Sequence, residues 1–226
     1  MSFNFEERPS DSPFVEKVWR THSEQPGSFI SQAESHWEIV ITTHQGKTTL
    51  TVRGPETKAT PADYPAEAEY FGIVFKLGAF MPHLPFKDLL DRQDKTLPEA
   101  SHHSFWLHGS VWQLPDFENA DTFIARLVRE ELLVDEPLVE AVLQNQPLEL
   151  SLRSVQRRFL RATGLTYGTI DQIERARQAV TLLEQGGSIA DAVYYAGYAD
   201  QPHLTRSLKR FTGQTPGQIL QLSSHF

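Results

Sequence analysis

Val155-x-Arg157-x-Phe159, followed by Gly164 and Thr166, recurs 49 positions later as Leu204-x-Arg206-x-Leu208, followed by Gly213 and Thr215. Each copy carries an apolar stripe at helical spacing with cations on the remaining surface. Each ends in a glycine, the residue that tolerates the left-handed turn closing a helix. Two matched basic helices in the last third of a chain suit a partner that presents the same feature twice. Double-stranded DNA, whose major groove returns every ~10 bp, is such a partner.

The residues around each copy complete a helix pair. Ser188-Ile189-Ala190-Asp191 reads as a capping box, in which the serine oxygen accepts an orphan N–H and Asp191 reaches back. It opens a helix running to Ala196, with Gly197 at the left-handed position. Asp200 then caps the next helix, where Pro202 is tolerated in the first turn. Leu204, Leu208 and Phe211, at i, i+4 and i+7, form its inward stripe. Gln201, His203, Thr205, Arg206 and Lys209 project elsewhere. Upstream, Ser151 caps a helix with Val155 and Phe159 inward and Arg153, Gln156, Arg157, Arg158 and Arg161 outward. Arginine pairs bidentately with guanine and glutamine with adenine, so these are residue types that read base edges. A single cation-bearing helix is ordinarily a solvated face; two at matched spacing argue against that reading.

The run Gly197-Tyr198, Asp200-Gln201, His203-Leu204-x-Arg206, Lys209-Arg210-Phe211 and Gly213-x-Thr215-Pro216 resembles the signature of the AraC/XylS transcription regulators. So do Leu150-Ser151-x-Arg153-x-Val155-x-Arg157-x-Phe159 and, between the two, Arg175-Ala176-Arg177-x-Ala179-x-x-Leu182-Leu183. The resemblance covers roughly residues 135–217. It implies two helix-turn-helix units, at about 135–165 and 188–216, joined by a linker helix and set in successive major grooves. Carried over, base contacts fall on Arg153, Gln156 and Arg157 in the first unit and on Gln201, His203 and Arg206 in the second. The chain departs from the pattern at Ala192-Val193, where Ile-Ala is usual, at Leu204 and Leu208, where Phe is commoner, and at Pro202. Pro147 stands where the first unit's turn is expected, with no Ala-x-x-x-Gly pair ahead of Ser151.

Charge is divided along the chain. The 226 residues sum to −8, yet residues 151–226 hold nine Lys and Arg against five Asp and Glu, a net of +4, and the first 150 hold twelve against twenty-four, −12. A basic tail on an acidic front is expected when only the tail meets phosphate. At 39% hydrophobic and 11% aromatic the chain has material for a packed core. It lacks cysteine, which removes disulfides, thiolate metal sites and the acceptor of an Ada-like repair protein, and fits a reducing cytoplasm. No apolar run approaches ~20 residues, so neither a membrane span nor a signal peptide is expected.

The front half reads as β. Residues 1–30, with scattered Pro and Gly, suggest a loosely ordered arm with one edge strand near residues 14–19. Trp37, Ile39 and Ile41 alternate up to a turn at His44-Gln45-Gly46, and Leu50 and Val52 return. Residues 55–65 read as a loop, Phe71 to Leu77 as a third strand and 86–91 as a short helix. After Asp116 the period becomes helical: one helix over about 119–133 and a second capped by Asp135. The expected fold class is α+β in two domains: residues 1–115 a β-rich, cupin-like sensor or dimerisation domain, residues 116–226 the helical DNA-binding domain.

His102, His103 and His108 cluster, with His83 near in sequence. Adjacent residues of a strand point to opposite faces, so at most one of His102 and His103 can ligate, and no Glu stands at a confirming offset. No metal, cofactor or catalytic residue is assigned. Trp37, Phe71, Phe75, Phe105, Trp106 and Trp112 read as core, some lining a ligand pocket. The function expected is sequence-specific, DNA-binding transcription regulation, not catalysis. Its partners are double-stranded DNA, a small-molecule effector, RNA polymerase and a second copy, without a membrane. The rival is a cupin-type metal-dependent enzyme with a helical appendix.

Overall fold

The computed structural model describes residues 5–223. The first four residues of the expected arm and the last three of the helical half lie outside that range. Among the described residues thirteen strands and seven α-helices follow in order: β1 Glu6–Arg8, β2 Val15–Ser23, β3 Gly27–Ser31, β4 Glu38–His44, β5 Lys47–Arg53, β6 Thr60–Tyr64, β7 Ala68–Phe75, β8 Ala79–Phe80, β9 Lys95–Thr96, β10 Glu99–Ser101, β11 Ser104–Leu107, β12 Ser110–Gln113, α1 Ala120–Arg129, β13 Val134–Asp135, α2 Pro137–Leu143, α3 Leu152–Thr163, α4 Tyr167–Glu184, α5 Ile189–Tyr195, α6 Gln201–Thr212 and α7 Pro216–Ser223. The chain is thus α+β, with a β-rich front and a helical rear. Among the described residues no helix is long and apolar enough to cross a membrane.

The main sheet has the order β1-β2-β7-β4-β5-β9. Gln45 and Gly46, at φ 50° and 73°, turn β4 into β5, and His44 pairs with Lys47. Positive φ at both centres is what a two-residue hairpin turn requires. Val18, Ile73, Ile39 and Val52 form one cross-strand row of the core face. All four are at most 2% exposed. Trp37 stacks on Phe75 at 3.9 Å, and its indole N–H donates to the Ala79 carbonyl at 2.6 Å. A large aromatic that also satisfies its polar edge suits a core position.

Several expectations change. The strand near residues 14–19 lies between β1 and β7 rather than at an edge, and residues 6–8 and 27–31 of the expected arm are strands as well. Residues 60–64, read as loop, pair with β3. The helix expected over 86–91 is two 3-10 turns, Phe86–Asp88 and Leu90–Arg92. Asp135 does not cap α2: Glu136 precedes that helix, and Asp135 pairs with Ala79 in the β13–β8 ladder. Trp106, read as core, is 45% exposed.

The chain packs as two compact units. The first comprises Met1–Ser28, His36–Pro55 and Asp63–Thr166; the second comprises Phe29–Ser35, Glu56–Ala62 and Tyr167–Phe226. The change from strands to helices near residue 115 therefore falls inside the first unit, which also holds α2 and α3.

Candidate nucleic-acid interface

Both helix pairs are built by local chemistry. Ser188 and Asp191 form the full capping box, with the Ser188 oxygen accepting from the Asp191 amide and the Asp191 carboxylate accepting from the Ser188 amide. The Ser188 hydroxyl, which donates to the Asp191 carboxylate at 2.6 Å, and the Ser188 amide hold this exposed carboxyl below its usual range. After α5, Gly197 sits at φ 70°, and the Gly197 and Tyr198 amides return to the Tyr194 and Val193 carbonyls. This double bond pattern is the Schellman closure. Ala192, on α5, is fully buried. In the first unit Asn145, at φ 53°, takes the glycine's part: the Asn145 and Gln146 amides return to Val142 and Ala141. Asparagine is among the few residues that adopt this conformation readily. Pro147 lies beyond that closure, in the longer connection to Ser151, whose side chain accepts from the Ser154 amide.

The two second helices also end alike. Gly164 and Gly213 are left-handed at φ 74° and 75°. Before each stands a buried threonine, Thr163 or Thr212, whose hydroxyl donates to a carbonyl four residues back and accepts an amide two residues on. This Thr-Gly repeat was available in the sequence, 49 positions apart, but was not singled out there.

On α6, Leu204 and Leu208 are 0% exposed and Phe211 is 4%. At 100° per residue, Arg206 lies diametrically across the helix from that stripe, with Lys209 flanking it. Gln201, His203, Arg206 and Lys209 are exposed; Thr205 is half-buried and donates its hydroxyl to the Gln201 carbonyl at 2.9 Å. His203 packs edge-on against Tyr198 at 5.1 Å, on the flank facing α4. On α3, Phe159 is buried and Arg157 lies across from it, with exposed Arg153 and Gln156. Two sequence-selected residues are engaged. Arg158 donates twice to Glu136, at 2.9 and 2.5 Å, and the Arg161 guanidinium lies 5.4 Å from the Phe80 ring centre. Among the described residues, Arg153, Arg157, Arg206, Lys209 and Arg210 have no carboxylate within 4.0 Å, unlike Arg158.

Arg158 holds the Glu136 carboxyl below the usual carboxylate range. A depressed pKa contributes stability at neutral pH that disappears as pH falls through it. Glu136→Gln should therefore destabilise the protein at pH 7, with the difference from wild type in thermal unfolding starting to shrink near about pH 4 and disappearing only at pH values beneath the depressed pKa. An undiminished difference in acid would show that the charge pair is not what Glu136 contributes.

The second helix pair includes two segments from the front of the chain. The Ala33 amide donates to the Phe211 carbonyl at 2.7 Å and the Ala59 amide to the Arg210 carbonyl at 2.8 Å. These carbonyls belong to the last turn of α6, where the helix itself supplies no donor. Glu34 and Glu174 flank Arg177, at 2.5 and 3.2 Å, and Ser35 donates to Glu174 at 3.1 Å. Gly213 is doubly constrained: its φ is left-handed, and a Cβ there would meet the Ile30 side chain at 2.8 Å.

In the first unit the core face of the main sheet turns polar two rows from its apolar centre. Arg20, Phe71, Ile41 and Leu50 form one row, and His22, Glu69, Thr43 and Thr48 the next. Above them opens a groove of about 940 Å³ that Tyr70 and Phe117 also line. The histidines do not assemble there. His102 and His103 sit in the turn between β10 and β11, not on a strand, so strand alternation does not govern them. The His83 and His108 rings lie 4.8 Å apart, and burial, reinforced by the charge of His108, lowers the His83 pKa. Among the described residues no three metal-binding side chains gather.

Helix, left-handed turn, side-chain-capped basic second helix: this arrangement, made twice, defines a protein with two helix-turn-helix units. A family model described as a helix-turn-helix domain matches residues 146–221. The HTH-type transcriptional regulator RipA of Corynebacterium glutamicum is 36% identical over 67 residues, which is 30% of this chain and 20% of that protein. RipA of Corynebacterium diphtheriae is 32% identical over 106 residues, 45% of this chain and 30% of that one. The chain thus spans less than a third of the curated relatives it matches. Both matches fall on the segment whose residues resemble the AraC/XylS regulators. Among solved structures, ToxT from Vibrio cholerae is similar at 8% identity, covering 95% of this chain and 99% of that one with a TM-score of 0.41.

Proposed function

We propose that the chain is a sequence-specific regulator of transcription that reads double-stranded DNA with α3 and α6, each in a major groove. The observation that carries this is the pair Arg157 and Arg206. They stand 49 residues apart, each across its helix from the core stripe and each without an acidic partner among the described residues. Arg153, Gln156, Gln201, His203 and Thr205 join them as base-reading candidates, and Lys209 as a phosphate contact. Arg158 and Arg161 fasten α3 through Glu136 and Phe80, and reach DNA only by leaving those partners. Residues 116–226 act as the reader and residues 1–115 as a cupin-like sensor or dimerisation part, whose groove takes a small-molecule effector. Such a regulator works in the cytoplasm, with RNA polymerase and a second copy of itself as further partners. The metal-enzyme alternative needs a third ligand beside His83 and His108, and metal analysis of the purified protein separates the two readings.

Sequences selected from a random DNA pool provide the test. Arg206→Ala should cost ~1–3 kcal/mol on the selected site and relax preference at one or two base pairs. Lys209→Ala should weaken selected and scrambled duplexes alike. Equal losses on both duplexes for Arg206→Ala would remove the base-reading role.

A further inference from the structure

A notch of about 200 Å³ opens between α4 and α6, lined by Gln172, Arg175, Tyr198, His203, Arg206 and Arg210 among others. On α6, His203, Arg206 and Arg210 fall at i, i+3 and i+7, a face that runs from the helix flank at His203 and Arg210 to the outer side at Arg206. From α4, Gln172 and Arg175 face them one turn apart. Arg175 is fixed in place: its Nε donates to the Ala196 carbonyl at 3.0 Å, a second guanidinium nitrogen donates to the Gly197 carbonyl, and the group lies 4.8 Å over the Tyr198 ring. The Arg210 guanidinium rests over its neighbour Phe211 at 4.9 Å. Asp171 is near enough for Tyr198 to feel its charge, but no carboxylate lines the notch.

Three arginines in so small a recess repel one another unless an anion sits among them. Guanidinium groups present planar, multiple donors that match phosphate oxygens. Arg206 belongs both to this recess and to the outer face of α6. A group held in the notch therefore lies beside whatever α6 reads.

We propose that the notch seats one backbone phosphate of the bound DNA, held by Arg175 and Arg210, and so sets the register in which Arg206 meets a base edge. This rests on the DNA-reading function proposed above. Neither Arg175 nor Arg210 was among the contacts inferred from sequence. In this arrangement the phosphate contact carries no sequence information of its own but fixes where the base-reading side chain lands.

The whole 226-residue chain tests this by fluorescence anisotropy over a salt series, on a selected duplex and a scrambled one. Arg210→Gln should weaken both by the same factor and flatten the slope of log affinity against log salt by about 0.9, the value for one phosphate lost. Arg210→Lys should keep the slope, and unchanged thermal unfolding of both variants excludes a folding defect. A single neutral methylphosphonate linkage is then moved along the selected site. At one position it should cost the wild type what Arg210→Gln costs, and cost Arg210→Gln nothing further. The same affinities measured with added inorganic phosphate show whether a free anion competes for the notch; only weak competition is expected if the DNA backbone is the occupant. An unchanged slope for Arg210→Gln, or additive losses at every linkage, overturns the seat while leaving the reader intact. Failure of selection to return any preferred sequence overturns the DNA reading itself, and the seat with it.

Discussion

A fragment beginning at residue 117 should unfold its second helix pair more readily than the whole chain does. Such a fragment retains α4 to α7 but loses residues 29–35 and 56–62, which belong to the same compact unit. It forfeits the amides of Ala33 and Ala59 that satisfy the Phe211 and Arg210 carbonyls. Two backbone hydrogen bonds are worth about 2 kcal/mol together. The loss grows as the face that buries Ala33 and Ala62, at 2% and 6% exposure, meets water. All four tryptophans lie before residue 117, so unfolding of the fragment is followed by far-ultraviolet circular dichroism. A DNA affinity and an unfolding midpoint equal to those of the helical part in the full chain would show that the front segments merely rest on the reader.

The largest single-residue effect is expected at Leu204. It is 0% exposed at the centre of the α6 stripe. Truncation to alanine removes buried methyl groups and leaves a cavity, at a cost of about 2–5 kcal/mol. Residue 155, its counterpart in the first unit, is only half-buried, and Val155→Ala should cost clearly less. Chemical unfolding and DNA binding of the two variants check this asymmetry. Equal destabilisation would mean that the first helix pair has a better-sealed core than its exposure indicates.

What was legible in the sequence was what short-range chemistry decides. Ser151, Ser188 and Asp200 cap because a side-chain oxygen meets the amide three residues on, Asp191 reaches back to the Ser188 amide, and no distant neighbour is involved. Gly164, Gly197 and Gly213 declare themselves because few other residues accept their φ. The alternation in β4, β5 and β7 follows from one sheet face being core. The rest depended on partners far along the chain. Residues 60–64 contain Pro61 and two polar residues, and only pairing with β3 makes them a strand. Helical spacing placed Arg158 and Arg161 outside the core but could not tell that Glu136 and Phe80 would meet them there. Arg175 sits in a motif that the sequence did single out, yet its bonds to Ala196 and Gly197 require knowing how α4 lies against the α5–α6 turn. Asn145 carried a weak signal, because asparagine also occurs freely in ordinary loops.

The bonds from residues 33 and 59 to residues 211 and 210 also bear on how the chain is made. Synthesis runs from the N-terminus, so Ala33 and Ala59 leave the ribosome long before the carbonyls they are to meet. These two amides reach their partners only after residues 210 and 211 have emerged. Contacts so distant in sequence carry a large loop-closure cost and form late. The second helix pair is then completed after the sheet, and a chain interrupted before residue 210 can fold its sheet without acquiring a finished second helix pair.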